Sequence, residues 1–365
     1  MTQQLEEFVG VDVDYTTTFA DMTTLRVGGK PRYTVRCYNA DAASYAVRAL
    51  DNDEVPIVIV GGGSNLVVAD ESLGKSDIDA VAVTLEFDQI QINKDSGIVR
   101  AGAGAQWDDV VQAAVDAGLG GIECLSGIPG KVGAVPVQNV GAYGTEISDV
   151  LTWVRLYDRH TEEDSWVPAE SLDLSYRYSN LKFTQRAVVL AIELQLLTDG
   201  LSAPLNFRQL TDNPGERRPV AEIRNTVLEL RRGKGMVLNA NDKDTWSAGS
   251  FFTNPIVPSL QADRVVELVR SKLGDEEAAA MPRFPVGEDV KLSAAWLIER
   301  AGFKRGYPGT EEPARLSTRH TLAITNRGNA NSRDIVSLAR DIRDGVQGAF
   351  GVTLVPEPVW LECEI

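Results

Sequence analysis

The chain has 365 residues, enough for two or three domains of roughly 100–200 residues each, and its 43% hydrophobic and 24% charged content is that of an ordinary soluble globular protein. Its net charge of -16 argues against nucleic acid and anionic membrane as main partners, because both are polyanions that demand a basic surface. An anionic small molecule remains possible, since a local nest of N–H groups and a few Arg or Lys residues suffices to hold one.

No run of about 18 apolar residues occurs, so no membrane span is expected. The N-terminal MTQQLEEFVGVDVD is acidic and lacks an apolar h-region, so no signal peptide is expected either. Cys37, Cys124 and Cys363 are far apart and odd in number, which suits a reducing cytoplasm without disulfides. With only His160 and His320 and no CxxC, no zinc or other metal site is expected.

In chain order, Tyr33–Cys37 reads as a strand, and Asp41 as the cap of a helix over Ala42–Leu50. Pro56–Val60 is a short apolar run of buried-strand type. It ends in Gly61-Gly62-Gly63-Ser64-Asn65 and resumes as Leu66–Ala69. A dinucleotide-binding GxGxxG would open a helix, so this is not that fingerprint. A GGGSN turn between strands aims several N–H groups and the Ser64 hydroxyl at one point, which suits a pyrophosphate; a plain hairpin turn would need fewer glycines.

Short strands are expected at Ala80–Thr84, Gln89–Ile92 and Gly97–Ala101, then an amphipathic helix over Gln106–Ala117 closed by Gly118. Gly120–Gly144 follows, apolar and glycine-rich, with Glu123 and Lys131 its only charges. It is too apolar for a linker and too rich in glycine for a helix. It reads as backbone lying close against something flat or phosphorylated, with an irregular core loop as the alternative.

Val150–Leu156 and Ala187–Leu197 read as strands around a polar-aromatic loop, Ser171–Asn180. Three prolines between Thr198 and Pro219 mark a boundary or flap. Helices follow at Val220–Arg232, Leu260–Leu273, Leu292–Ala301 and Ser332–Phe350, with strands at His320–Thr325 and near Thr353–Cys363. The class is α+β, a strand-rich N-terminal half before a mixed part with more helix.

Three clusters have the residue types that chemistry needs. Arg177 stands between tyrosines in Ser175–Ser179, where a guanidinium can clamp a carboxylate or phosphate; a surface arginine is the bland alternative. Ser250 lies between Gly249 and two phenylalanines, a candidate desolvated hydroxyl or a simple backbone cap. It lacks the GxSxG setting of a hydrolase nucleophile and has no histidine nearby in sequence. Glu357 is clamped between Pro356 and Pro358, which remove two ladder donors and exclude a fully paired central strand; an exposed edge glutamate is the alternative.

Seven segments together resemble the UDP-N-acetylenolpyruvoylglucosamine reductase family, in its longer subtype with a substrate flap. They are Thr23–Gly29, Gly61–Asn65, Gly127–Gly133, Gln138–Gly144, Tyr176–Ser179, Ala248–Pro255 and Pro356-Glu357, collinear over nearly the whole chain. The resemblance implies a two-lobed FAD-binding domain of the vanillyl-alcohol-oxidase type followed by an α/β substrate-binding domain. The expected lobes are 1–85, joined by a C-terminal strand in 351–365, and 86–205, with the substrate domain at 206–350.

The implied cofactors are FAD and NADPH, and the implied substrate is the enolpyruvyl ether of UDP-N-acetylglucosamine, reduced to UDP-N-acetylmuramate for peptidoglycan synthesis. By the same matching, Gly61, Gly62, Gly63, Ser64, Asn65, Gly133, Gln138, Asn139 and Gly144 bind the cofactor. Tyr176, Lys234, Asn254 and Phe207 bind substrate. Phe207 stands where many members carry a tyrosine, so a phenol hydrogen bond is lost there.

Hydride delivered to the terminal methylene carbon builds negative charge on the neighbouring carbon and its carboxylate, which needs preorganised donors. Arg177 and Glu357 match the residues for that task, with Glu357 protonated, since a charged one would repel the anion. Ser250 matches the proton donor. A cytoplasmic monomer with a small-molecule substrate and neither nucleic acid nor membrane as partner is expected. The rival readings are another FAD-dependent oxidoreductase of the same fold and a non-catalytic UDP-sugar binder.

Overall fold

The structure, a computed structural model, describes residues 2–365; Met1, the first residue of the expected lobe 1–85, lies outside the described residues. The chain divides into two compact units, neither continuous in sequence. The first comprises the segment ending at Met22, Lys30–Ser64 and Asp77–Val237, and the second Thr23–Gly29, Asn65–Ser76 and Leu238–Ile365.

The first unit begins with a four-stranded sheet in the order Val11–Asp14, Thr34–Cys37, Val81–Leu85, Ile57–Val60. The last three strands run parallel and the first antiparallel. Helix Ala40–Asn52 connects two parallel strands and buries Ala42, Ala43, Ala46, Val47 and Leu50 against the sheet. That one-sided apolar spacing is what a helix covering a sheet requires, and full burial of Val47 or Leu50 contributes roughly 1.5–3 kcal/mol each. The expected cap at Asp41 is corrected. Asn39 is the cap, extended at φ -155 and accepting from Ala42 N, so the helix starts two residues earlier. Asp41 instead sits in the first turn, where its charge favours the helix dipole.

A five-stranded antiparallel sheet follows, ordered Asp164–Pro168, Leu151–Asp158, Ala187–Gln195, Ile98–Gly102, Ile90–Asn93. Helix Trp107–Asp116 packs its apolar face on the core beneath it. Helix Val220–Gly233 is tied to that helix by the Arg224–Asp108 ion pair, with nitrogen–oxygen distances of 2.7 and 3.0 Å. Burial would push Asp108 upward, but Arg224 and the Gly127 N–H outweigh it and hold the carboxyl below its ordinary value.

The second unit packs helices Ser259–Leu273, Ala294–Arg300 and Ser332–Phe350 around one core that also takes Leu25, Val27 and Val67 from early in the chain. Leu66–Val68 pairs in parallel with Val359–Leu361. The strands flanking the GGGSN turn therefore do not form a hairpin: Ile57–Val60 pairs with Val81–Leu85 in one unit, and Leu66–Val68 with the C-terminal strand in the other.

Two expected strands shrink. His320–Thr325 is strand only from Ile324, which pairs with Ala314–Leu316, because His320–Leu322 is held as a turn. Thr353–Cys363 is strand only at Val359–Leu361, past the two prolines. The helix expected from Leu292 starts at Ala294, because Ser293 caps it by accepting from Trp296 N at 3.3 Å.

Candidate active site

In the first unit, Gly61–Ser64 leaves strand Ile57–Val60 and lies against Pro129–Lys131. Ser64 Oγ donates to Pro129 O at 2.9 Å. A Cβ on Gly62 would stand 2.6 Å from Gly130 Cα, and one on Gly61 3.3 Å from Ala134 Cβ. Only glycine allows two backbones to meet this closely. Gly63 is buried beside them.

The facing segment is itself bonded along Ala103–Trp107: Trp107 N donates to Gly130 O, Val132 N to Ala105 O and Gly133 N to Ala103 O, each at 2.9 Å. The two charges of Gly120–Gly144 are answered within this unit. Lys131 pairs with Glu86 at 2.6 Å. Glu123 accepts from Gly121 N at 2.6 Å and Ala203 N at 3.2 Å. Burial raises the Glu123 carboxyl against those two bonds.

Further along, Gln138 ends a short 3-10 turn and Asn139 follows at φ +45. The Asn139 side chain is buried and engaged within the protein: Nδ2 donates to Glu146 at 2.8 Å and to Ser175 O at 3.0 Å, and Oδ1 accepts from Ser148 N at 3.1 Å. It thus ties the Gln138–Gly144 loop to the Arg177 loop. Gly144 adopts φ +85 with open space beside it.

Ser175 and Tyr178 exchange backbone hydrogen bonds at 3.1 and 3.0 Å, which puts Tyr176 and Arg177 at the tip of a tight turn. Arg177 has φ +56. Its Nη2 donates to Gly141 O at 2.7 Å, its guanidinium lies 5.2 Å from the Tyr176 ring centroid, and Lys182 Nζ donates to its carbonyl at 3.1 Å.

Phe207 packs edge-on to Tyr143, with centroids 5.4 Å apart. Lys234 lies 5.5 Å from the same Tyr143 ring, and its Nζ donates to Gln209 at 3.0 Å. Burial, and then the charge of Arg231, lowers Lys234; burial lowers Arg231 as well. Two partly buried cations in mutual repulsion are a setting that favours an anion. Burial raises the Tyr143 phenol.

In the second unit the backbone of Ser250–Thr253 is stitched on two sides. Phe251 N donates to Leu322 O at 2.7 Å, Glu357 N donates to Phe251 O at 2.9 Å, and Thr253 N donates to Val355 O at 3.0 Å. Phe252 and Pro356 form an antiparallel bridge, so Ser250 and Glu357 lie within one residue of register. Asn65 Nδ2 donates to Glu357 O at 3.2 Å, and Val359 N donates to Asn65 O at 2.9 Å. Ser250 Oγ lies 3.3 Å from His320 Nε2. Asn254 Oδ1 accepts from Ala294 N at 3.0 Å, at the start of helix Ala294–Arg300. Among the described residues no cluster of three or more potential metal ligands occurs. Burial pushes the Cys37 and Cys124 thiols up to about 12, so neither is a ready nucleophile.

The family model of the FAD binding domain matches residues 31–162. That of the UDP-N-acetylenolpyruvoylglucosamine reductase C-terminal domain matches residues 241–361. UDP-N-acetylenolpyruvoylglucosamine reductase 2 of Corynebacterium glutamicum is 61% identical over 373 residues, covering 100% of this chain and 98% of the relative. The chain belongs to the UDP-N-acetylenolpyruvoylglucosamine reductase family.

Two other members of this reductase family illustrate its spread. That of Corynebacterium diphtheriae is 58% identical over 95% of this chain and 90% of its own length. That of Mycolicibacterium smegmatis is 46% identical over 97% of each. The crystal structure of the Thermus caldophilus reductase has the same fold, with a TM-score of 0.63 at 24% identity over 97% of this chain and 99% of that one.

The residues present fit the FAD of a UDP-N-acetylenolpyruvoylglucosamine reductase. Gly61–Ser64 laid on Pro129–Lys131 presents backbone without large side chains, with Ser64 at its edge, as the close approach of a flat ring system and a pyrophosphate requires. Three residues of this setting are not singled out by the sequence: Tyr143, Gln209 and His320. Tyr143 stood inside a quoted motif and could have been found as its one aromatic. His320 is one of only two histidines, but its neighbour Ser250 is 70 residues away in the chain.

Proposed function

We propose that the chain reduces the enolpyruvyl ether of UDP-N-acetylglucosamine to UDP-N-acetylmuramate, the FAD- and NADPH-dependent step of peptidoglycan synthesis. Bound FAD, with NADPH as reductant, would supply the hydride for the terminal methylene carbon of the substrate. Gly61–Asn65 and Gly130–Gly133 would hold the FAD through backbone, with Gln138, Asn139 and Gly144 completing that wall.

The protein's own residues handle charge and proton. Arg177 faces the developing carboxylate charge with its guanidinium oriented by Gly141 O and the Tyr176 ring. Glu357, as the neutral acid, donates to the same anion. Ser250 Oγ gives its proton to the carbon next to the carboxylate; a hydroxyl is a weak acid, but the carbanion is a far stronger base. Lys234, with the partly buried cation Arg231 near it, binds the diphosphate. Phe207, seated on Tyr143, covers the sugar side without a phenol of its own. Asn254 stays near the substrate's sugar region while capping helix Ala294–Arg300.

The observation that carries this reading is the stitching of Ser250–Thr253 to Val355–Glu357, which holds the backbones of Ser250 and Glu357 within one residue of register. A UDP-sugar binder has no use for a proton donor so placed. The pairing of Leu66–Val68 with Val359–Leu361 supports the return of a C-terminal strand (351–365) to the segment 1–85; in this reading 86–205 is the second cofactor lobe and 206–350 serves the substrate. The protein acts as a cytoplasmic monomer, which sedimentation of the holoenzyme tests. The activity is tested on purified protein: flavin absorbance, bleached by NADPH and restored by the enolpyruvyl substrate, is expected. A protein that bleaches but ignores that substrate would be a different flavin oxidoreductase.

A further inference from the structure

A hydroxyl that gives its proton to carbon is left as an alkoxide, a high-energy species unless a neighbour supplies a proton as it forms. Beside Ser250 Oγ stands His320 Nε2, at 3.3 Å. The imidazole is not there by the accident of a loose loop. Its backbone N–H donates to Ser317 Oγ at 3.1 Å, and its carbonyl accepts from Ala323 N at 3.1 Å.

The turn carrying it hangs on Asp244, a carboxylate only 5% accessible. Asp244 accepts from Ser317 Oγ at 3.1 Å, Thr318 N at 3.1 Å, Thr318 Oγ1 at 2.9 Å and Arg319 Nε at 3.0 Å, and pairs with Arg327 at 2.8 Å. Leu322 O takes the Phe251 N–H at 2.7 Å, so the histidine turn and the Ser250 segment are also fastened backbone to backbone next to the contact. Such support is what keeps a reacting pair in line.

We propose that His320 is the positioning residue of Ser250, holding its hydroxyl in line and refilling it with a proton as it gives its own to the substrate carbon. This rests on the reading of Ser250 as proton donor. In the step the Ser250 O–H bond breaks and a C–H bond forms at the carbanionic carbon. The electron pair left on Oγ takes the proton of the His320 Nε2–H as that bond breaks. The imidazole regains its proton from water, so no oxidant or reductant is needed.

The test separates the two half-reactions by stopped flow in His320→Gln, His320→Ala and Ser250→Ala holoenzymes. Both His320 variants are expected to be reduced by NADPH at the wild-type rate, which also reports that they are folded and loaded. Their reoxidation by substrate is expected to slow roughly ten- to a hundredfold. Gln keeps an N–H at the hydroxyl but cannot pass a proton on. The proton inventory of reoxidation should therefore fall from a curved plot with two protons in wild type to a linear one in His320→Gln. Added imidazole should restore His320→Ala.

Independently of turnover, the chain has only two histidines, so His160→Gln assigns the imidazole 15N signals. Ser250→Ala should then move the His320 Nε2 signal and leave His160 in place. Reoxidation at the wild-type rate in His320→Ala overturns the proposal. So does slow reoxidation with a curved inventory and no imidazole rescue, which is a structural role only. Wild-type reoxidation in Ser250→Ala overturns the proton-donor reading itself, a separate outcome read from a separate variant.

Discussion

Arg177 sits third in a four-residue turn at φ +56, a place where glycine or asparagine is the ordinary occupant. Holding a long side chain there costs about 1–2 kcal/mol, a strain that natural chains keep where function uses it. Arg177→Gly removes that strain and also the bond to Gly141 O, worth about 1 kcal/mol. Its thermal stability should therefore stay within about 1 kcal/mol of wild type while substrate turnover collapses; a large drop in melting temperature would mean the arginine is there for the fold. For Ser250→Ala the expected result is normal flavin reduction by NADPH and reoxidation slowed roughly a hundredfold or more. Slow flavin reduction in that variant would sink the proton-donor role. Glu357→Gln keeps the shape but not the acid, so its pH–rate profile should lose both height and one limb. A profile matching wild type in both would show that no ionisable group at 357 matters.

At the scale of elements, what places the candidate residues is backbone fastened to backbone. Gly62→Ala puts a Cβ 2.6 Å from Gly130 Cα, an overlap of backbone that no rotamer change relieves. Overpacking of this kind costs about 1–3 kcal/mol, and the purified variant should carry less flavin per chain as well as melt lower. Full flavin loading would remove the cofactor role of that contact. The Asp244 cluster gives a second test. Burial pushes its carboxyl up, but the Thr318, Arg319 and Ser317 donors outweigh this and hold it below its unfolded value of 3.8. Its stabilisation is therefore present above pH 3.8 and disappears as pH falls through the lowered folded value. Asp244→Asn, which leaves Arg319 and Arg327 short of a carboxylate, should cost about 3 kcal/mol or more at neutral pH, and the difference from wild type should shrink in acid. Denaturant melts at two pH values check both the size and the sign.

For the whole molecule, the second unit takes Thr23–Gly29 and Asn65–Ser76 from far upstream of its main body. Leu25, Val27 and Val67 are fully or almost fully buried in its core. A fragment of residues 238–365 lacks all three, each worth roughly 1.5–3 kcal/mol when buried. Their sum is comparable to the whole stability of an ordinary domain, about 5–15 kcal/mol. The fragment should lack a cooperative melt and dispersed amide signals; a well-folded fragment would show that the upstream segments are only decoration.

What was legible in the sequence follows from the range of the forces involved. Period and punctuation act over a few residues, so helix Ser332–Phe350 and the run ending in GGGSN could be read directly, as could the α+β class. The collinear motifs carried the family, and with it FAD, NADPH and the substrate. The apolar, glycine-rich Gly120–Gly144 pointed to close backbone approach, with an irregular core loop as the alternative, and Gly130 does meet the Gly62 backbone. Long-range partners left no local mark. That Asn39 rather than Asp41 caps its helix depends on one φ angle, and that His320 is in a turn depends on a carboxylate 76 residues upstream. The meeting of Ser250 with His320, of Phe251 with Glu357, and of Tyr143 with Phe207 was decided by tertiary structure alone. Burial and hydrogen bonding choose such partners only once the chain has closed on itself, and they act without regard to separation along it.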